Sequence, residues 1–547
     1  MEGLNLVVQL LEEAAPWFHL MTEALAKVWK VSLEVVEGRP RVALAILATG
    51  GSSFWVYRHT TRHFDKWHSL GVPYEKGHFP YGSFNLFSQQ KHLFSHITEL
   101  QDKYRTERYV GWFLFRQPVL NINDPELLRI IMVKDFNTFV ERSSYDGETF
   151  KVGGKWDRLW GRMLTSAQGE EWKQIRAAFS PIFTSGRMKG MLRFIKATGE
   201  NLALELETRA DSGEEISLKE LYGKYTMDGI AASAFGMDTN SFQQKDSAFL
   251  KYAESVLKIT GKEELVLLFK TIVPGFCKLL EILNISLWKV SYNLQIVDMT
   301  FSFQPKETKF LYEVIKATVK ARKTGKQERR NDLVDLMMDC LKQDVKGDEE
   351  GQDQCEEDTN LKVERTALDE DTLVATAMIF MIAGYDTTAI TLSFLSYMLA
   401  SHPEEQEKLQ QEVDQAYEDA GGEFPDYSTI QSLPFLDMVI HEALRLHSPL
   451  GMNTREASTD YSLPGTDIHL KKGDLVSWSS QALHKDPAHW SHPEQFYPEH
   501  FSKKEKSSRS TYAFQGFGQV NQIEGVYLIS LPRDQETASG CDLRCWR

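Results

Sequence analysis

Residues Met378 to Glu405 read "MIFMIAGYDTTAITLSFLSYMLASHPEE". The run belongs to a long helix that starts near Asp371. Phe380, Gly384, Thr387 and Thr391 recur at helical spacing and share one face. A glycine inside a helix costs about 1 kcal/mol relative to alanine. Its presence at Gly384, beside Ala383 and one turn before Thr387, therefore implies a neighbour that needs the room. That neighbour is either a flat, bulky group lying on the face or a second helix packed closely against it. Asp386 and Thr387 add an acid and a hydroxyl to one turn of an otherwise apolar helix.

Downstream, "LPFLDMVIHEALRLHSP" (433–449) places Glu442 and Arg445 three residues apart on a second helix, stopped by Pro449. Apolar neighbours on both sides predict burial, and buried charges must be paired. Next, "ALHKDPAHWSHPEQFYPEHF" (482–501) is rich in turn residues. Its histidines, His484, His489, His492 and His500, lack the i,i+4 helical pairing of a zinc site and are interrupted by proline, so no histidine metal centre is expected. Upstream, "EEWKQIRAAFSPIFTSGRMKGM" (170–191) sets Trp172 and Arg176 one helical turn apart.

The rest of the chain supplies context. Its 547 residues, 42% of them hydrophobic, suffice for a large core, as one large domain or two or three smaller ones. A net charge of −15 argues against a nucleic-acid partner, because phosphate binding relies on concentrated Lys and Arg. Five scattered cysteines do not form a disulfide framework and suit a reducing compartment. Residues 1–41 form an acidic N-terminal segment. The uncharged stretch 42–57, "VALAILATGGSSFWVY", is expected to anchor the chain in a membrane, although a full span needs about 20 apolar residues; a buried helix is the alternative. Residues 58–84 are a basic, Pro/Gly-punctuated hinge, and by the positive-inside rule the large part that follows faces the cytosol. From about 85 to 342 the pattern is mostly helical. Within it, 265–288 is an apolar run broken by Pro274 and Gly275: two core helices or an element dipping into the membrane. Residues 343–370 read as an acidic exposed loop, and strand-like alternation appears around 461–483. The expected fold is mainly α with a minor β part.

In this order, these elements resemble the cytochrome P450 family of haem-thiolate monooxygenases, most closely the animal microsomal members that oxidise xenobiotics and lipophilic metabolites. "AGYDTT" (383–388) is similar to the family's oxygen-binding helix signature, "EALR" (442–445) to Glu-x-x-Arg, "FYPEHF" (496–501) to its Pro-Glu-Arg-Phe element, and Trp172 with Arg176 to its Trp-x-x-x-Arg helix. The resemblance implies a P450-type fold over residues 85–519. It implies that Ala383 and Gly384 approach the haem, that Asp386 and Thr387 relay protons when the O–O bond breaks, and that Trp172 and Arg176 meet a propionate. It further implies that Glu442 and Arg445 lock the proximal core, that Phe517 and Gly518 open the haem-cysteine loop, and that the Pro274 region lids a lipophilic pocket. Haem iron, a lipophilic substrate, NADPH electrons through a flavoprotein reductase, and an endoplasmic reticulum membrane location follow from the same likeness.

Three positions depart from the family. His500 stands where an arginine usually completes the triad with Glu442 and Arg445. Met452 replaces a propionate-binding arginine, with Arg455 three residues later. Most consequentially, "YAFQGFGQVNQIEGVYLISLPRDQ" (512–535) starts the Phe-x-x-Gly-x-Arg-x-Cys-x-Gly loop and then leaves it. In register, Val520 replaces the Gly, Gln522 the Arg, Glu524 the axial Cys and Val526 the last Gly. Glu524 cannot supply a thiolate. Cys541 and Cys545 lack the surrounding glycine cradle, and a proximal helix and hairpin of the family's length do not fit in the divergent tail 520–547. The expectations are therefore a P450 monooxygenase carrying an aberrant C-terminus, from an alternative exon or a faulty gene product, or a catalytically inactive, membrane-anchored relative that binds ligand or reductase.

Overall fold

In the computed structural model, residues 40–84, 93–142, 155–213, 215–237, 239–243, 248–256, 305–346 and 369–516 are described. Its longer helices are α1 (Pro40–Thr61), α2 (Leu93–Lys103), α3 (Gly169–Phe179), α4 (Ser185–Ser212), α5 (Leu218–Phe235), α6 (Pro305–Lys323), α7 (Leu333–Lys346), α8 (Glu370–Ser401), α9 (Pro403–Asp419) and α10 (Pro434–Leu446). The strands are β1 (Tyr109–Leu114), β2 (Gln117–Ile122), β3 (Met452–Glu456), β4 (Tyr461–Ser462), β5 (His469–Leu470) and β6 (Leu475–Ser479). This is the helix-dominated architecture with a small β part that the sequence predicts.

Local chemistry sets where the central helices begin and end. Asp369 caps α8 by accepting the Thr372 amide at 2.8 Å, satisfying a donor that the helix cannot. At its other end Pro403 has no N–H to donate and becomes the first residue of α9. The first turn of α10 is capped from a different helix: Glu412 of α9 accepts the amides of Phe435 and Leu436, both at 2.8 Å. α5 packs along α8 so closely that a Cβ on Gly384 would lie 2.7 Å from Ile230 Cδ1. The Thr226 hydroxyl donates to the Tyr385 carbonyl at 3.1 Å, and Tyr222 pairs with Ser396 at 2.7 Å. Met227, Ala231, Phe235, Leu373, Ala377 and Met378 are fully buried between these and neighbouring helices. Each large side chain among them contributes roughly 1.5–3 kcal/mol by leaving water. Among the described residues α8 is the one helix long and apolar enough to cross a membrane, but half of that stretch is buried inside the fold, so it is a core helix.

The sheet runs in the order β1-β2-β6-β3. β1 and β2 form an antiparallel hairpin, β2 pairs parallel with β6, and β6 antiparallel with β3. The Trp67 indole lies on β1 where only glycine leaves space: a Cβ on Gly111 would sit 2.4 Å from the ring.

Two sequence expectations are modified. The β1–β2 hairpin falls inside the segment that reads as helical. Its two-residue turn uses Phe115 at φ +53° and Arg116, without the Asn-Gly signal that marks such turns. In 461–483 the alternation resolves into the short β4 and β5 and into β6, which is buried at every position because both its faces are covered, Val476 and Trp478 lying in one apolar cluster and Leu475 in another. The anchor stretch 42–57 falls within α1. Most of the N-terminal segment 1–41, the Pro274 region, most of the 343–370 loop, Phe517, Gly518 and the tail 520–547 lie outside the described residues.

Candidate functional site

Midway along α8 the burial pattern breaks. Met378, Met381, Ile382 and Ala389 are buried, whereas Ala383 is exposed and Phe380, Gly384, Asp386 and Thr387 are half-buried. A core helix that opens at its centre lines a cleft there. The two small residues divide the work: Gly384 is occupied by Ile230 of α5, and Ala383 is the residue that opens. The Thr387 hydroxyl donates to the Ala383 carbonyl at 2.5 Å. Asp386 stands 3.9 Å from Lys219 at the start of α5. The neighbouring Tyr385 hydroxyl donates to Glu254 at 3.2 Å; burial first, then that carboxylate, raises its pKa.

A second feature is a group of uncompensated guanidiniums. Arg176 on α3, Arg142 in the loop after the short helical turn Phe136–Thr138 and Arg455 on β3 have no ion-pair partner among the described residues. The Arg142 loop is tied to β3, because the Glu456 amide donates to the Glu141 carbonyl at 2.8 Å and Ser458 to Thr138 at 2.9 Å. Burial lowers the pKa of Arg176; burial, then Arg176, lowers that of Arg142; and burial, then Arg142, takes Arg455 down to about 10. By surface area, however, Arg142 is exposed and the other two are half-buried. Arg455 also lies over the Trp478 ring at 5.7 Å, and the buried Trp478 indole N–H has no partner among the described residues. Trp172, one turn before Arg176, meets Phe136 with ring centroids 6.0 Å apart.

A third feature is a closed polar network around α10. Arg445 and Glu442 are fully buried. Arg445 spends all five N–H donors: two on Glu442 at 2.8 Å, and the others on the carbonyls of His484 (2.8 Å), Pro493 (2.7 Å) and Gln495 (2.8 Å). Glu442 also accepts the Tyr497 amide at 2.8 Å and His500 Nδ1 at 3.1 Å. Burial alone would raise the Glu442 pKa, but the hydrogen bonds from Arg445 and His500 outweigh it and hold the carboxyl below its ordinary range. Trp490 is held between Arg445 (5.0 Å) and Arg509 (4.0 Å), and Arg509 donates to the His500 carbonyl at 2.5 Å. His484 joins this network to the glycine-rich stretch. Its Nδ1 faces the Arg445 carbonyl at 3.1 Å, its Nε2 accepts the Gln515 amide at 2.7 Å, and its ring stacks on Phe514. One nitrogen must donate and the other accept, so the imidazole is neutral. Burial, with Arg445 beside it, pushes its pKa down to about 3.

The family described as Cytochrome P450 matches residues 72–519. The chain belongs to the cytochrome P450 family. It is 33% identical over 411 residues to cytochrome P450 3A6 of Oryctolagus cuniculus, covering 74% of this chain and 73% of that protein. It is 31% identical over 470 residues to cytochrome P450 3A11 of Mus musculus, and 31% over 466 residues to cytochrome P450 3A7 of Homo sapiens; each comparison covers 85% of this chain and 82% of the relative. The chain is thus a P450 of the animal microsomal type. Its family's reaction is haem-dependent monooxygenation of lipophilic small molecules, with electrons from reduced pyridine nucleotide delivered by a reductase.

The donor set of the P450 fold here fits a haem on its acidic edge: three neighbouring guanidiniums without counter-ions among the described residues are matched by a group carrying two carboxylates. Of the residues singled out in the sequence, Ala383, Gly384, Asp386 and Thr387 lie together on α8, Glu442 and Arg445 in the α10 network, and Trp172 and Arg176 on α3. Sequence reasoning missed Arg142 as a member of the cluster, because a lone arginine in an aperiodic loop carries no pattern. It also missed Arg509, and it weighed His484 only as a metal ligand; both roles become legible only when 482–515 folds back onto α10.

Proposed function

We propose that this P450 binds haem with Arg142, Arg176 and Arg455 on its propionates, Trp172 beside them, and the open centre of α8 on the oxygen-binding side. The observation that carries this reading is the guanidinium cluster, an arrangement of like charges that is costly until an anion enters. A bound haem supplies the redox chemistry that activates dioxygen. Ala383 leaves room above it. The Thr387 proton is held by the Ala383 carbonyl, so the hydroxyl oxygen faces the cleft as an acceptor and orients a water or substrate hydroxyl. Asp386, partly solvated beside Lys219, takes protons from water and passes them toward that position. Glu442, Arg445 and His500 fix the proximal wall.

Residues 42–57 anchor the protein in the endoplasmic reticulum membrane with the catalytic part in the cytosol, in this reading. It is supported by the uncharged stretch 42–57, which lies within α1 and is followed by Arg58 and His59 in that helix's last turn. In domain terms, an acidic segment (1–41), anchor, hinge (58–84), catalytic domain (85–519, with the 343–370 loop) and divergent tail (520–547) follow one another.

A second reading rests on Glu524. With a carboxylate in register with the axial cysteine, this chain is a catalytically inactive form that binds ligand or reductase, the product of an alternative exon or a faulty gene model. The full chain expressed with haem supply and treated with dithionite and carbon monoxide separates the two. A thiolate-type band supports the enzyme reading. Stoichiometric haem without that band, or no haem, supports the second. Sequencing the transcript across the codon for Gln519 then decides whether the locus also encodes the complete cysteine loop.

A further inference from the structure

Where α1 meets the folded body, cations outnumber the carboxylates among the described residues. Arg58 and His59 project from the last turns of α1, Arg62 and His63 follow in the next turn, and Arg116 reaches them from the tip of the β1–β2 hairpin. Arg116 Nη1 contacts His59 Nε2, and Arg62 Nε donates to His63 Nε2 at 2.7 Å. A guanidinium has only donors, so each imidazole turns a lone pair toward it and is neutral. The pKa of His59 is lowered by burial, then Arg116 and Arg62. That of His63 is lowered by burial, then Arg62, Arg116 and Lys66, and raised only by Asp474. Asp474 is already paired with Lys66. None of Arg58, Arg62 and Arg116 has an ion-pair partner among the described residues.

Beside this cluster three large aromatic side chains are left in the open: Phe54, Trp55 and Phe79 expose 45%, 54% and 46% of their surface. Trp55 stacks on His59 with centroids 4.9 Å apart, and Tyr57 meets Phe79 at 5.5 Å. Aromatic rings adjoining unbalanced guanidiniums at the foot of an apolar helix match the chemistry of a bilayer's headgroup layer, where aromatic rings gather and anionic lipids attract basic residues.

We propose that Arg62 and Arg116, with His59 and His63, form a seat for the phosphate of an anionic phospholipid at the foot of α1. Two guanidiniums present forked donors that suit phosphate oxygens. One follows the end of α1 and the other stands at the tip of the β1–β2 hairpin, so a lipid held between them fixes the angle of the catalytic domain on the membrane. The inference rests on the anchor reading given above, and its test separates the two.

The full chain is reconstituted into phosphatidylcholine vesicles carrying a trace of spin-labelled phosphatidylglycerol or spin-labelled phosphatidylcholine. The motionally restricted fraction of each label is then measured. The expected result is a preference for phosphatidylglycerol of about fivefold per guanidinium. It is lost in Arg62→Gln/Arg116→Gln, retained in Arg62→Lys/Arg116→Lys, and unchanged in Lys306→Gln/Lys320→Gln, which removes as much charge elsewhere. Circular dichroism confirms that each variant is folded. Equal restriction of both labels, or a preference that survives Arg62→Gln/Arg116→Gln, overturns the seat while leaving the anchor standing. No restricted lipid with either label removes the anchor and the seat with it. Loss of the preference on adding inorganic phosphate at constant ionic strength assigns the site to a soluble phosphate instead and overturns the lipid assignment.

Discussion

Single side chains in this protein carry costs that can be read as stability. His484 is neutral inside the fold, with a pKa near 3, but has an ordinary value of 6.5 once released. The unfolded chain therefore binds a proton that the folded chain refuses, and folding stability falls as pH drops below 6.5. At pH 5 the loss from this one group is about 2 kcal/mol relative to pH 8. Glu442 acts in a separate window: its depressed pKa keeps its contribution intact above the ordinary 4.5, and that contribution is lost only at lower pH. Urea midpoints at pH 8 and pH 5 should separate widely for the wild type and much less for His484→Gln; an equal separation refutes the assignment. Arg455 has the opposite character, a cation with no ion-pair partner among the described residues. Arg455→Met should stabilise the haem-free chain by about 1–2 kcal/mol while weakening haem uptake. Thermal melts and haem titration report the two effects independently. The cost of Glu442 and Arg445 together was legible from sequence, since a charged pair amid apolar neighbours must be buried and satisfied. The Arg142 contribution was not, because proximity between distant loops leaves no local pattern.

At the level of elements, two glycines look alike in the sequence and differ in the fold. A Cβ on Gly111 meets the rigid, fully buried Trp67 ring at 2.4 Å, so β1 and the indole cannot both keep their places. A Cβ on Gly384 meets the end of the flexible Ile230 side chain at 2.7 Å, which can swing away. Gly111→Ala should therefore cost about 3 kcal/mol, at the top of the overpacking range. Gly384→Ala should lie within about 1 kcal/mol of the wild type, because gained helix propensity offsets the adjustment. Chemical denaturation of both variants checks the order, and a reversed order would mean that the strand can yield and the helix pair cannot. The glycine in α8 thus answers the choice that the sequence left open: it admits a neighbouring helix, and the adjacent Ala383 is what faces the cleft. Long helices announced themselves through caps, prolines and period. The β1–β2 hairpin escaped notice because its turn is made by Phe115 and Arg116, whereas β6 lies inside the 461–483 stretch that reads as strand-like.

At the scale of the whole molecule, the family match and the folded scaffold extend to the start of the haem loop, while the register of the loop itself departs from the family. Under the reading that rests on Glu524, the full chain gives no thiolate band with carbon monoxide. Glu524→Cys alone should not restore it, because Val520, Gln522 and Val526 stand where the loop needs two glycines and an arginine. A band from the single substitution, measured against the unmodified chain, would show that the thiolate suffices without its cradle. The fold class was legible because four motifs occur in order along one chain, each weak alone. The proposed site was legible only in halves, since the residues proposed for its oxygen-binding side lie on one helix and its cationic edge is assembled from three separate segments. His484 has one more consequence. By accepting the Gln515 amide and stacking on Phe514, it fixes the backbone up to Gly516 from within the core. Gly516 is therefore a natural seam for semisynthesis: a body ending there could be ligated to synthetic C-terminal peptides, each receiving the same starting geometry, so that alternative iron ligands could be compared in a single scaffold.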